Sequence, residues 1–316
     1  YPLPDCSVGA VSVVGLKRRR EMIYTEGLLG PETPRLSKEN EWYAVEMGGD
    51  PGSVVKLSPD GSTFARLARR GRPNGLVVDQ TGKIWIADTH PDPSLVLLDV
   101  EGKLEVFTRG PADEPFLFPN DLCFGPDGLL YMTDSGILLN DWAPGGQLRP
   151  DWDKAKFDGR VYQINVETGD VKKLDSGIKF TNGIAIGPDG HLYANEMVTG
   201  DIFKYELKGG GYVGPRQVYG NSMAPDWKSE GFRGPDGMAF GADGRLYVAM
   251  FGQADVTVLD TSGKIQTRMP TEGQFPTNVA FGPDGEKRIY VTEAEKGRIE
   301  RFDVDQRGAR VYLGET

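Results

Sequence analysis

Histidine and cysteine are nearly missing: the 316 residues hold two of each, His90, His191, Cys6 and Cys123. So few, scattered along the chain, exclude a His/Cys zinc centre and a disulfide framework. Cys123 falls inside an apolar strand pattern and reads as a buried thiol, which suits a reducing, cytoplasmic compartment. Secretion is the alternative, because the chain starts at Tyr1 rather than Met. Long apolar runs are missing too, and none approaches the ~20 residues that span a bilayer as a helix. Basic residues are outnumbered, 36 against 46 acidic, and the resulting charge of −10 opposes polyphosphate backbones and anionic lipid. Neither nucleic acid nor membrane is therefore expected as a partner. The one basic run, Lys17 to Arg20, reads as a solvated strand end.

What the chain does have is a phrase that returns. It reads NGLVVDQTGKIWIAD from Asn74, NDLCFGPDGLLYMTD from Asn120 and NGIAIGPDGHLYANE from Asn182. DGMAFGADGRLYVAM follows from Asp236 and NVAFGPDGEKRIYVTE from Asn278, and a degenerate first copy runs from Glu32 through Trp42 to Met47. The anchors 32, 74, 120, 182, 236 and 278 are 42, 46, 62, 54 and 42 residues apart, which suits four short strands per copy. Each copy is a strand, a Gly/Pro-marked turn and a second strand; DIFKYEL from Asp201 and RQVYG from Arg216 show the third and fourth. One hairpin cannot bury both faces, but six blades packed around an axis can. The chain therefore predicts an all-β fold, a six-bladed β-propeller spanning residues 1–316 as one domain with a metal site at the central channel. An outer strand near residues 11–25 is expected to complete the last blade as the ring's clasp.

Inner strands begin just after the anchors, so the anchor side chains should ring one mouth of the channel. They are Glu32, Asn74, Asn120, Asn182, Asp236 and Asn278, all oxygen-bearing. Asn and Asp also favour turns for purely conformational reasons, but six such residues in a ring suit a hard cation with six to eight oxygen ligands. Ca²⁺ is the expectation, with Mg²⁺, Mn²⁺ and Zn²⁺ as alternatives. Loops between second and third strands open on the same mouth. The longest, Ser135 to Gly159, carries Asn140, Asp141, Trp142 and Trp152 and reads as a lid; Met223, Trp227 and Phe232 precede Asp236. Glu46, Asp88, His90, Glu196 and Phe251 occupy shorter loops there, while His191 should lie at the opposite end. Local packing of its own loop is the competing reading for each aromatic.

These residues resemble the SMP-30/gluconolactonase/luciferin-regenerating family of six-bladed propellers, which includes sugar lactonases and, more distantly, diisopropylfluorophosphatase-like enzymes. The resemblance covers residues 30–305 and rests on Glu32-Thr33-Pro34, Pro119-Asn120-Asp121 with YMTD from Tyr131, Thr181-Asn182-Gly183, Pro235-Asp236-Gly237-Met238 and PTNVAFGPDG from Pro276. It implies that Glu32, Asn120, Asn182 and Asp236 ligate the metal, that Asp236 doubles as the catalytic acid/base, and that Asn74 and Asn278 sit nearby. Animal members place an Arg two residues before the Asn of the third blade to grip a sugar acid; here that residue is Phe118, which points to an aromatic or alkyl lactone.

The expected reaction is hydrolysis of a small lactone or ester. A cation-polarised carbonyl is attacked by water held near Asn120, Asp121 and Asn182, and Asp236 accepts the proton. The expected substrate wall is Asn74, His90, Phe118, Trp142, Trp152, Trp227, Phe251 and Asn278. Direct attack by Asp236 is a variant. Two other readings share the fold: an organophosphate hydrolase, and a non-catalytic binding propeller that keeps a metal for rigidity.

Overall fold

The computed structural model describes residues 22–208, 211–212, 214–225 and 231–314. Cys6, the Lys17–Arg20 run and Trp227 lie outside the described residues. The described residues form six antiparallel four-stranded sheets, and a two-stranded ribbon, Leu207–Lys208 with Gly211–Tyr212, is inserted in the fourth. The inner strands are Pro31–Leu36, Pro73–Val78, Pro119–Phe124, Thr181–Ile186, Gly234–Phe240 and Pro276–Phe281. Each lies against the inner strands of the two neighbouring blades, so the ring closes from the sixth blade to the first. This is the six-bladed propeller that the repeat predicts.

The recurring phrase has a physical cause at the turn between the first two strands. Tyr131 donates its hydroxyl to Asp127 Oδ2 at 2.7 Å, Tyr193 donates to Asp189 at 2.9 Å, and Trp85 Nε1 donates to Asp79 at 3.0 Å. The glycine after the aspartate, Gly128 or Gly190, sits at φ near +79° or +77°, where a side chain would be strained. Between each pair of blades lies a buried apolar cluster; blades 2 and 3 share Trp85, Leu95, Leu122, Phe124, Leu130 and Met132 among others. Each fully buried Leu, Ile or Phe in such a cluster contributes roughly 1.5–3 kcal/mol. Radial stacking therefore stabilises the blades and aligns their inner strands on one axis.

The clasp is present: Ile23–Glu26 pairs antiparallel with Arg298–Asp303 as the outermost strand of the sixth blade. The chain after that blade crosses the far end of the channel. There Ala242 N donates to Arg307 O, Ala309 N to Phe240 O, and Gln80 N to Leu313 O. A cavity of about 720 Å³ lies between this segment and the lower halves of the inner strands, lined in part by Arg35, Val77, Cys123 and Ala185. Cys123 is a free thiol, only half-buried against that cavity rather than enclosed in the core, because its side chain faces the channel. No helix among the described residues is long and apolar enough to cross a membrane.

Candidate active site

Strand register decides which side chains share a level of the channel. Pro73 pairs with Asp88, Pro119 with Asp134, Thr181 with Glu196 and Pro276 with Glu293. Counting from these pairs, Asn74 and Asn120 occupy the first slot after the proline, and Thr277 fills that slot in blade 6. Asn278 is therefore not in the anchor ring, as its sequence copy suggests. It sits one level deeper, beside Asp121, Thr33, Gly75 and Gly237. The cause is local: the copy that starts at Asn278 is one residue shorter, with Asn278 and Gly282 four apart where Asn120 and Gly125, or Asn182 and Gly187, are five apart.

The two levels meet around a group of acids. Asn278 Nδ2 lies 3.3 Å from Glu32 Oε2 and 3.4 Å from Asp121 Oδ2. Thr33 donates its hydroxyl to Glu32, although its φ of 47° is costly for a β-branched residue. Burial is the largest effect on all three carboxyls. Burial and the Asp121 charge push Glu32 up to about 8, and hydrogen bonds from Thr33 and Asn278 oppose this. Burial, then the charges of Glu32 and Asp121, push Asp236 well above the usual carboxylate range, with hydrogen bonding from Asn182 in opposition. Asp121 is raised by burial and restrained by Arg35, whose Nη2 reaches its Oδ1 at 3.3 Å. Arg35 escaped the sequence reading. It lies three residues past Glu32 in the degenerate copy, at a level that other blades fill with Val77, Cys123, Ala185, Ala239 and Ala280.

The residues present fit a cation. Three buried acids crowd one site, where the Asp121 charge raises Glu32 and the charges of Glu32 and Asp121 raise Asp236, as expected where negative charge exceeds its compensation by Arg35. Asn182 Oδ1 is buried with no hydrogen-bond partner, an acceptor left for an ion. Asn120 Nδ2 donates to Ser135 Oγ at 2.9 Å, which leaves its Oδ1 for the channel. Among the described residues no three His, Cys, Asp or Glu side chains form a metal-binding group alone, so amide oxygens would have to complete the shell.

Above the anchors lies an aromatic wall. Phe118, Ile137, Phe180, Met197 and Phe232 are buried together, with Trp142, Trp152 and Phe251 packed on them. Trp142 stands 5.1 Å from Phe180 and 4.9 Å from Phe232, and Trp152 stands 5.4 Å from Phe232, so the long loop packs down on the mouth. Phe180 holds φ at 64°, a second costly backbone at the site. Phe251 stacks on Phe275 at 4.7 Å. Asn74 is buried at the anchor level, and its carbonyl lies 3.1 Å from Thr33 Oγ1.

His90 is half-buried at the start of the loop after the second strand of blade 2, and its carbonyl lies close to Gly71. Glu46, Asp88 and Glu196 also have another task. They accept from Leu29 N, Arg72 N and Lys179 N, as Asp134 and Glu293 do from Phe118 N and Phe275 N, and so pin the entry to five inner strands. His191 lies at the other end, accepting from Leu207 N through Nδ1.

Residues 92–295 match the model of the SMP-30/Gluconolactonase/LRE-like region. The chain belongs to this SMP-30/gluconolactonase family. Its relatives include the diisopropyl-fluorophosphatase of Loligo vulgaris, 26% identical over 313 residues that cover 91% of this chain and 93% of the relative. The gluconolactonase of Zymomonas mobilis is 26% identical over 246 residues, covering 75% of this chain and 66% of the relative. Among solved structures, a calcium-binding regucalcin from Agrobacterium tumefaciens superposes with a TM-score of 0.76 at 20% identity, covering 94% and 97% of the two chains. At that identity the superposition establishes the shared propeller of this SMP-30/gluconolactonase member, not its chemistry.

Proposed function

We propose that this chain is a metal-dependent hydrolase that opens a small lactone or ester at the axial acids, with Asp236 as general base. The observation that carries the reading is the buried trio Glu32, Asp121 and Asp236, each with raised proton affinity, beside the partnerless Asn182 Oδ1. Glu32, Asn120, Asn182 and Asp236 would hold the ion, Ca²⁺ by preference because every donor is oxygen, with Mg²⁺, Mn²⁺ or Zn²⁺ as alternatives. When bound, the ion supplies Lewis-acid polarisation of the scissile carbonyl. Asn120 orients the water through the amide oxygen left over by Ser135, and Asp236 accepts the proton as the water attacks. Arg35 opposes the protonation that burial favours at Asp121 beneath them. Phe118, Phe180, Trp142 and Phe232 exclude bulk water and receive the apolar body of the substrate. Support also comes from membership of a family with a gluconolactonase among its members.

A second reading changes the substrate to an organophosphate ester at the same acids. It is favoured by the Loligo vulgaris diisopropyl-fluorophosphatase, whose match runs over 91% of this chain. The test is chelator-stripped protein reloaded separately with Ca²⁺, Mg²⁺, Mn²⁺ or Zn²⁺ and assayed on γ-, δ- and aromatic lactones and on an organophosphate panel. Lactone turnover lost on stripping and restored by an ion supports the first reading. Turnover confined to the phosphates supports the second, and none with any ion leaves a binding propeller.

A further inference from the structure

We propose that Arg72 selects substrates that carry a carboxylate, an inference that rests on the hydrolase reading above. The position two residues before the first slot of each inner strand is Gly30, Arg72, Phe118, Phe180, Gly234 or Phe275. Phe118 and Phe180 show where this position points, since both rings lie in the aromatic cluster over the mouth, 5.6 Å apart. Blade 2 puts a guanidinium at the level where three other blades put a phenyl ring.

The backbone of Arg72 is held from both sides. Its N–H donates to Asp88 Oδ1 at 2.8 Å, and its carbonyl accepts from Thr89 N at 3.1 Å and Thr89 Oγ1 at 2.9 Å. The side chain is not held in that way. Nη1 is buried and has no hydrogen-bond partner among the described residues. Burial lowers the proton affinity of the guanidinium, and Glu32 is the carboxylate whose charge opposes that. Its neighbours differ: Arg70 pairs with Asp88 and Asp92, and Arg35 with Asp121.

A buried guanidinium nitrogen without a partner is costly, and the planar fork of donors to which it belongs matches a carboxylate. Such a group is complete only when a ligand brings the anion. Arg72 enters blade 2 two residues before the anchor level and feels the Glu32 charge, while Phe118, Phe180, Trp142 and Phe232 offer an apolar wall on the following blades. The substrate class is therefore a lactone with an apolar body and a free carboxylate, gripped at one end by Arg72.

The test uses the full chain loaded with Ca²⁺ and a matched pair of lactones, 3,4-dihydrocoumarin and the same lactone with a ring carboxylate. In Arg72→Met the ratio of kcat/KM for the acid to that for the neutral lactone should fall about 10–10²-fold, mainly through KM, and Arg72→Lys should recover part of it. An unchanged ratio overturns the proposal, even if both constants fall. Benzoate binding, read calorimetrically, supplies an arm without turnover: Arg72→Met should weaken it at least about tenfold. If the parent hydrolyses neither lactone, the hydrolase reading fails by itself. Equal benzoate affinity in parent and Arg72→Met, or no benzoate binding by the parent, overturns the role of Arg72.

Discussion

Arg35 Nη2 lies 3.3 Å from Asp121 Oδ1, so a cation from blade 1 sits against an acid from blade 3 in the middle of the channel. The same guanidinium lowers the proton affinity of Glu32. A metal ion and protons compete for these carboxyls, so Arg35 moves the competition toward the ion at lower pH. Arg35→Met should shift the pH midpoint of Ca²⁺ binding upward by about one unit, with a loss of affinity that shrinks as the pH rises. Calorimetric Ca²⁺ titrations between pH 5 and 9 read both. An affinity loss of equal size at every pH would contradict this electrostatic role.

The acids also set a pH dependence of folding. Glu32 rises from 4.5 to about 8 on folding, and Asp121 and Asp236 move in the same direction. Between these limits the native state binds protons that the unfolded state has released, so raising the pH favours unfolding. Metal-free protein should therefore lose Tm steadily from about pH 5 to about pH 8. Saturating Ca²⁺ should remove that slope and raise Tm most at the alkaline end, because the ion takes the place of the protons. A metal-free Tm that climbs over this range would show that the trio is ionised without an ion.

The contrast between what the sequence shows and what it hides follows from where each signal comes from. Blades are legible because Asp127 and Tyr131, or Asp189 and Tyr193, must recur at fixed spacing to close each turn. The acids are legible because a ring of oxygen donors has no folding purpose. Asn278 lies one level deeper than its copy suggests because that copy is one residue shorter, and space at that level is tight: a Cβ on Gly183 would strike the Asp236 carbonyl, and one on Gly237 the Asn278 side chain. Arg35 and Arg72 are hidden because each replaces an apolar residue in one blade only, and only the closed ring brings them to the acids. Glu46, Asp88 and Glu196 show the reverse, since charge at the mouth is engaged by backbone amides and neighbouring side chains of the same blades.

The roof over the mouth should resist truncation. Trp142 touches Phe118, Phe180 and Phe232, so Trp142→Ala removes part of a packed cluster and should cost about 2–3 kcal/mol by denaturant unfolding. Trp142 Nε1 is buried without a partner, so Trp142→Phe keeps most of the packing, removes an unsatisfied donor and should be neutral or slightly stabilising. A Trp142→Ala protein as stable as the parent would mean that the roof is loosely seated.

Asp236 and Glu32 can be separated by substitutions of equal size. Asp236→Asn keeps an oxygen for the ion but removes the proton acceptor, and loss of a general base typically costs about 10²–10⁴ in rate. kcat should therefore fall by that factor even at saturating Ca²⁺, and raising the pH should not restore it. Glu32→Gln should act through ion affinity: its activity falls at limiting Ca²⁺ and recovers in part when Ca²⁺ is raised. Glu32→Gln removes a charge that raises Asp236, and Asp236→Asn removes the buried carboxyl whose proton affinity is itself strongly raised, so both metal-free variants should be more stable than the metal-free parent at pH 8. That stability gain confirms that a loss of rate is not a loss of fold. If Asp236→Asn regained parental kcat at saturating Ca²⁺, the base would have to be sought elsewhere, with Asp121 next in line because it shares the same buried trio.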